Sequence, residues 1–117
     1  MVSNDNNTTF TIGSKDRARF AVGNLVQHKL LDYRGVVIDV HEDFQGSEDW
    51  YESEAKTKPS KNQPWYEVLV HGSARVSYVA QQNLDCDLTG MPVDHPLIRM
   101  FFNEFHSAKY HVGGPMN

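Results

Sequence analysis

The sequence has a single cysteine and no long apolar run, and these two shortages exclude whole classes of protein. Cys86 has no partner for an internal disulfide, which is typical of a chain that folds in a reducing compartment. Its neighbours Asp85 and Asp87 disfavour the thiolate, so we interpret Cys86 as an inert or merely modifiable thiol. No segment approaches the ~18 apolar residues of a membrane span, and the N-terminus lacks the pattern of a secretory signal. We therefore expect a cytoplasmic protein without membrane contact.

Motifs of the common enzyme classes are also missing. The sequence contains no P-loop, no GxGxxG, GxSxG or HExxH pattern and no CxxC pair. We therefore predict no catalytic residue and no cofactor. A binding function is favoured over an enzymatic one.

Positive charge is scarce. The chain has 11 Lys and Arg against 15 Asp and Glu, a net charge of −4, whereas a nucleic-acid-binding domain usually shows a basic excess. The distribution is uneven: residues 1–40 hold five basic and four acidic side chains (+1), and residues 41–63 hold three lysines and six acids (−3). The candidate DNA-binding side chains are Lys15, Arg17, Arg19, Lys29, Arg34 and Arg75.

Residues 33–44, YRGVVIDVHEDF, alternate in the way that predicts a β-strand. The predicted buried face carries Val36, Ile38 and Val40. The opposite, solvated face begins with Val37 and continues with three potential metal ligands or acid–base groups, Asp39, His41 and Asp43.

A metal site on this row is the less favoured interpretation. Successive positions on one strand face are about 6.6–7 Å apart, whereas ligand atoms lie about 2.0–2.2 Å from one ion. Asp39, His41 and Asp43 therefore need a ligand from another strand, such as Glu67 or His71. We predict a solvated face without a metal; a metal site or a small enzyme built on this row is the alternative.

The rest of the apolar pattern predicts a mainly β domain. Residues 25–28 form a short first strand, and residues 64–72 and 74–84 form a hairpin around a glycine-containing turn. Because most links are too short for crossovers, the sheet should be antiparallel. Four or five short strands in about 85 residues indicate a small bent barrel.

A polar insert, residues 45–63, interrupts the strands. It fits a short helix that is capped by Ser47 and stopped by Pro59. Trp50 and Tyr51 are its large apolar side chains, and one of them is expected to pin the insert to the sheet. The alternative is an exposed aromatic pair that binds a protein partner. The candidate protein-interaction residues are Trp50, Tyr51, Trp65 and Tyr66.

Near the C-terminus, DHPLIRMFFNEFHSAKY predicts an α-helix over residues 95–106. Asp94 suits the N-cap and Pro96 the first turn. The apolar stripe of this helix consists of Leu97, Ile98, Phe101, Phe102 and Phe105. The predicted organisation is a flexible tail (1–19), one domain (20–112) and a short tail (113–117).

Several of these segments together resemble one family. VGNLVQHKLLDYRGVVIDV, SEDWY, QPWYEVLVHGSARVSYVAQQNL and HPLIRMFFNEF occur in the same order as in the YccV-like family, which includes the heat-shock protein HspQ. The most specific pieces are YRGVV (33–37), QPWYEVLV (63–70) and YVAQQNL (78–84). The likeness covers about residues 20–106.

This resemblance implies a small SH3-like antiparallel β-barrel that binds hemimethylated DNA and has no catalytic residues. For members similar to HspQ it also implies a part in heat-shock protein degradation, with the Lon protease as partner, and a homotrimer. Two functions stay open at this point. One is DNA binding through the basic residues, and the other is a protein-interaction module, such as a Lon adaptor, without physiological DNA binding.

Overall fold

A computed structural model describes residues 16–113, which form a mainly β domain. The strands are β1 (Leu25–His28), β2 (Arg34–His41), β3 (Trp65–Val70), β4 (Val76–Ala80), β5 (Leu84–Cys86), β6 (Glu104–His106) and β7 (Lys109–His111). The helices are α1 (Glu48–Glu54), α2 (Ile98–Phe101) and a 3-10 turn at Gln81–Asn83. No helix in this described range is long and apolar enough to cross a membrane.

The main sheet has five antiparallel strands in the order β4-β3-β2-β1-β5. Its two edge strands, β4 and β5, are consecutive in the chain and are joined by the 3-10 turn. The edges of a flat five-stranded sheet would lie about 19 Å apart, whereas the link from Ala80 to Leu84 reaches about 14 Å at most. The sheet must therefore curve strongly. Between residues 16 and 113 no ladder joins β4 to β5, so a closed SH3-like barrel stays a prediction from the resemblance.

The first half of strand β2 is buried on both faces, which corrects the predicted alternation. Val36 and Val37 are both fully buried but point into different clusters. A β-bulge between Val37 and Asp39 then changes the alternation. As a result Ile38 packs with the cluster of Val36, and Val40 packs with that of Val37. The prediction that Val37 is solvated, with Val40 on the face of Val36, was wrong because it assumed one buried face and a regular strand.

Three apolar clusters follow from this curvature. The first lies on one side of β2 and contains Phe20, Val26, Val37, Tyr66, Val68, Val79 and Leu84. The second lies on the other side and contains Leu25, Val36, Leu69, Val93, Phe102 and Tyr110. The third, which we call the aromatic cluster, contains Ala55, Trp65 and Ala80 with Phe44, Trp50, Tyr51 and Tyr78.

The aromatic cluster holds the polar insert on the sheet. Helix α1 begins at the predicted cap, since the Ser47 hydroxyl accepts a hydrogen bond from the backbone N–H of Trp50 (3.0 Å). The Trp50 ring then packs edge-on to Trp65, with ring centroids 6.2 Å apart, and the Tyr51 hydroxyl donates to the carbonyl of Pro59 (2.8 Å). The expectation that an aromatic residue pins the insert is confirmed.

The predicted C-terminal helix was wrong over most of its length. Only Ile98–Phe101 is helical, and Phe102 is already extended (φ −135°, ψ 149°). Asp94 is not the N-cap of α2, which is Leu97. Just before α2, His95 Nδ1 accepts the backbone N–H of Leu97 (3.0 Å). The following residues form the hairpin β6–β7.

Packing explains why a hairpin replaces the helix. Phe105 lies opposite Tyr110, with ring centroids 4.6 Å apart. The Tyr110 hydroxyl accepts from the N–H of Val93 (2.9 Å), and its backbone N–H donates to the carbonyl of Gly23 (3.0 Å). A Cβ on Gly23 would lie 2.2 Å from the Tyr110 carbonyl oxygen, so this docking requires glycine. Tertiary contacts thus override a local pattern that suits a helix.

The β6–β7 turn generates a stability prediction. Ser107 and Ala108 both have positive φ (56° and 55°), as a two-residue type I′ turn requires. Asn and Gly suit these positions, so Ser107→Asn combined with Ala108→Gly should stabilise the protein by roughly 1 kcal/mol. Urea denaturation followed by tryptophan fluorescence measures the change.

The control is Ala74→Gly in the β3–β4 turn. The φ angle of Ala74 is not positive, so this position gains nothing from glycine. It should be neutral or slightly destabilising because it only adds freedom to the unfolded chain. A double variant that is less stable than the wild type would contradict the turn geometry.

Candidate nucleic-acid interface and neighbouring surfaces

The segment before β1 is anchored by two buried polar side chains. The Tyr66 hydroxyl accepts hydrogen bonds from the N–H groups of Arg19 (3.1 Å) and Phe20 (3.3 Å) and donates to Gln81 Oε1. Gln81 Oε1 also accepts the Arg19 N–H (2.8 Å), and its Nε2 donates to the carbonyl of Arg17 (2.9 Å). These bonds hold the backbone and leave both arginine side chains exposed. Burial raises the pKa of Tyr66 although the backbone hydrogen bonds to its oxygen oppose the shift, so the hydroxyl stays protonated at neutral pH.

Three predicted DNA-binding residues occupy the edge of the sheet near β5. Arg17, Arg19 and Lys29 are exposed. Arg19 and Lys29 approach the same carboxylate oxygen of Asp85, at 4.0 and 3.9 Å. A surface groove of about 520 Å³ begins at Arg19 and runs along β5. We call Arg17, Arg19 and Lys29 the basic edge. Lys15 lies outside the described residues.

Arg34 has a different environment from the basic edge. Its guanidinium pairs with Asp87 (2.8 Å), whose side chain is 1% exposed, and donates to the carbonyls of Pro92 and Met91. Burial alone would raise the pKa of Asp87, but hydrogen bonds from Arg34 and Thr89 outweigh it and lower that pKa. Arg34 therefore joins β2 to the loop after β5, and its donors are already engaged.

Arg75 has different contacts from those of the basic edge. It directly precedes β4, and its guanidinium carbon is 5.7 Å from the centre of the Tyr33 ring. The structure thus brings together Arg17, Arg19 and Lys29, whereas Arg75 packs beside Tyr33.

The predicted aromatic contact surface is mostly interior. Trp65 and Tyr66 are 1% and 0% exposed, so neither can touch a partner directly. Trp50 and Tyr51 are half-buried in the aromatic cluster. The alternation of β3 does not reveal that Trp65 and Tyr66 are both buried, because other segments of the chain cover both faces of this strand.

A groove with both apolar and polar walls lies between the β1–β2 loop and α1, over β4. It has a volume of about 390 Å³, and its walls include Leu30, Leu31, Trp50 and Val76. Leu30, Leu31 and Val76 are exposed large apolar residues. Sequence reasoning missed this groove because its walls come from three separate segments.

The acidic row of β2 contributes two of the three side chains that could hold a metal ion, which was the less favoured alternative for this row. Asp39, His41 and Glu67 each offer a ligand atom within 4.8 Å of the others, whereas Asp43 is outside this group. His71, the other suggested ligand, instead accepts the backbone N–H of Asp94 (2.8 Å).

These features describe a mainly β, antiparallel domain that presents exposed basic side chains at one edge of its sheet. Residues 18–109 match the family described as hemimethylated DNA-binding protein YccV like. The chain therefore belongs to the YccV-like family. Gln81, which anchors the basic edge, lies in the YVAQQNL segment that carries much of the resemblance.

Curated relatives are much longer proteins. F-box only protein 21 of Homo sapiens and of Pongo abelii is 29% identical to this chain over 94 residues, as is the protein of Mus musculus. The match covers 78% of this chain and 15% of each relative. This chain therefore corresponds to a small part of those proteins.

The Arg34–Asp87 pair generates a prediction. Arg34→Met should destabilise the protein by about 3 kcal/mol at pH 7, because it leaves a buried carboxylate without its cation. The pKa of Asp87 is lower in the folded state than in the unfolded chain. The stabilisation is therefore present above pH ~4 and is lost as the pH falls through the folded pKa.

Urea denaturation of wild type and variant from pH 7 to pH 2.5 measures this dependence. Arg75→Met is the control: it removes an exposed arginine and should change stability by less than about 0.5 kcal/mol. Equal effects of the two substitutions would show that the Arg34 pair is not a buried contact.

Proposed function

We propose that the chain is a non-catalytic protein that binds hemimethylated DNA through the basic edge. Family membership over residues 18–109 is the observation that carries this proposal. The position of Arg17, Arg19 and Lys29 supports it, since these side chains share one edge and are free of buried partners. Arg34 is assigned a structural role and is left out of the interface.

Local charge sets the expected strength of binding. Phosphate contacts dominate the affinity of such interfaces and make it salt-dependent. Asp85 lies beside Arg19 and Lys29, so it lowers the positive potential where phosphates would bind. The acidic side chains of α1 belong to a different part of the surface, packed on the aromatic cluster. We therefore expect moderate affinity that disappears at high salt.

The test is titration of labelled duplexes of one sequence in unmethylated, hemimethylated and fully methylated forms, at several salt concentrations. Wild type should prefer the hemimethylated duplex. The triple variant Arg17→Ala, Arg19→Ala, Lys29→Ala should bind more weakly. Its slope of log K against log salt should be smaller by about three, one per lost phosphate contact.

Two single variants sharpen this experiment. Asp85→Asn should bind more tightly than wild type because it removes the neighbouring negative charge, and Arg75→Ala should bind as wild type does. Absence of binding at 50 mM salt, or equal affinity for all three duplexes, would refute the proposal.

The groove over β4, with its exposed Leu30, Leu31 and Val76, supports a second candidate function, a protein-interaction module. Its proposed occupant is an extended segment of a partner protein with apolar side chains, which would cover Leu31 and Val76. Arg75 also lines the groove, so we expect the partner segment to carry a carboxylate next to its apolar side chains. On the resemblance to HspQ, the Lon protease or its substrates are the proposed partners. A role in heat-shock degradation and a homotrimeric state belong to this same proposal.

Peptides selected from a random 12-residue library test the groove. They should be enriched in apolar residues, and Val76→Glu and Leu31→Glu should each weaken their binding at least tenfold. Leu88→Glu is the control, since Leu88 is 92% exposed and outside the groove. Selected peptides that bind wild type and both groove variants equally would contradict this function.

A further inference from the structure

Two carboxylates face each other across β2 and β3. Asp39 is the register partner of Glu67, and like charges directly opposite in an antiparallel pair are destabilising. Within residues 16–113, no lysine or arginine lies within salt-bridge distance of either one. The nearby group with basic character is the His41 imidazole, whose Nε2 is 3.2 Å from Asp39 Oδ2.

The β-bulge creates this arrangement. It lies between Val37 and Asp39, so the strand after it presents Asp39 and His41 next to Glu67. Three ligand atoms, one from each of these side chains, then lie within 4.8 Å of one another. A straight strand cannot bring three of its own side chains this close, and the third member here comes from β3.

A tyrosine fixes the orientation of the histidine. Tyr78 pairs with Glu67 across β3 and β4, and its hydroxyl is 2.7 Å from His41 Nδ1. The same hydroxyl accepts the backbone N–H of Gln45 (3.0 Å). Its ring is packed in the aromatic cluster. His41 Nε2 is therefore held towards the Asp39 carboxylate, 3.2 Å away.

We propose that Asp39, His41 and Glu67 bind one divalent transition-metal ion, with Zn²⁺ as the best fit. One imidazole and two carboxylates form a mixed nitrogen and oxygen set, which suits Zn²⁺ and Co²⁺ better than Mg²⁺ or Ca²⁺. Ligand atoms on one tetrahedral ion are roughly 3.3 Å apart. The three ligand atoms already lie within 4.8 Å of one another, and rotation of the side chains can bring them to this separation.

The hydrogen bonds of the Tyr78 hydroxyl are compatible with a metal ion bound to His41. A metal-bound histidine donates its other ring N–H to a neighbouring acceptor. With the ion on Nε2, the Nδ1 proton of His41 is donated to the Tyr78 oxygen. That oxygen has two lone pairs and can accept both this proton and the Gln45 N–H.

The site is open on one side. A surface cavity of about 330 Å³ beside it is lined by His41, Glu67 and Tyr78 together with Gln45, Ser47 and Trp50. This space accommodates water as the remaining ligand. The ion would therefore neutralise the facing carboxylates and join β2 to β3 next to the polar insert, while keeping an exchangeable position.

The experiment uses the full chain, free of any polyhistidine tag and treated with EDTA. Calorimetric titration with ZnCl₂ should give one equivalent of binding, and CoCl₂ should give visible absorption bands of a low-symmetry site. His41→Ala and Glu67→Gln should each weaken Zn²⁺ binding more than tenfold. Tyr78→Phe, which keeps the ring, should weaken it about tenfold or more.

His106→Ala is the matched control. His106 also sits beside a carboxylate, since its Nε2 is 3.4 Å from Glu104, but it belongs to no group of three ligands in the described range. This variant should bind Zn²⁺ as wild type does. Zn²⁺ should also raise the melting temperature of wild type and of His106→Ala but not of His41→Ala, provided circular dichroism shows that all three are folded.

Two results would overturn the proposal: no saturable Zn²⁺ binding below millimolar concentration, or binding that His41→Ala and Glu67→Gln leave unchanged. Neither result bears on the DNA titrations, because the basic edge shares no residue with this site.

Discussion

Burial of β2 on both faces is the constraint on which the other elements depend. Val36 and Val37 occupy adjacent positions but separate clusters, so the chain must supply an apolar cover on each side of one strand. The curved sheet and Phe20 cover Val37, whereas the C-terminal region covers Val36. Gly35 permits the close packing at the start of the strand, since a Cβ there would lie 2.3 Å from the Leu69 carbonyl oxygen.

The β-bulge after Val37 divides β2 into an apolar half and a polar half. Before it, the strand organises the core and, through Arg34, the loop after β5. Beyond it, the strand presents Asp39 and His41 beside the polar insert. Because of this one β-bulge, β2 contributes to the core at its beginning and to a charged surface at its end. The basic edge lies in the segments just before and just after β1, so the two charged surfaces share no residue.

The sequence indicated the strands, the antiparallel pairing and the capped insert because those depend on local alternation and on Ser47. It did not indicate what depends on contacts between distant segments. Phe102 and Phe105 fit a helical stripe equally well, and only packing with Tyr110 selects the hairpin. In the candidate site, the exposed basic residues could be named from the sequence. The internal role of Arg34 requires Asp87, 53 positions away, and pattern alone cannot place it there.

The pairing of β1 has a consequence for synthesis on the ribosome. β1 pairs with β2 on one side and with β5 on the other, and Gly23 receives the hairpin that ends at His111. Within the described residues, β1 is therefore completed by segments that are synthesised much later, up to the hairpin that ends at His111. Such distant pairing closes large loops and slows folding. During synthesis the domain must stay incomplete, with apolar strands uncovered, until the β6–β7 hairpin has left the exit tunnel.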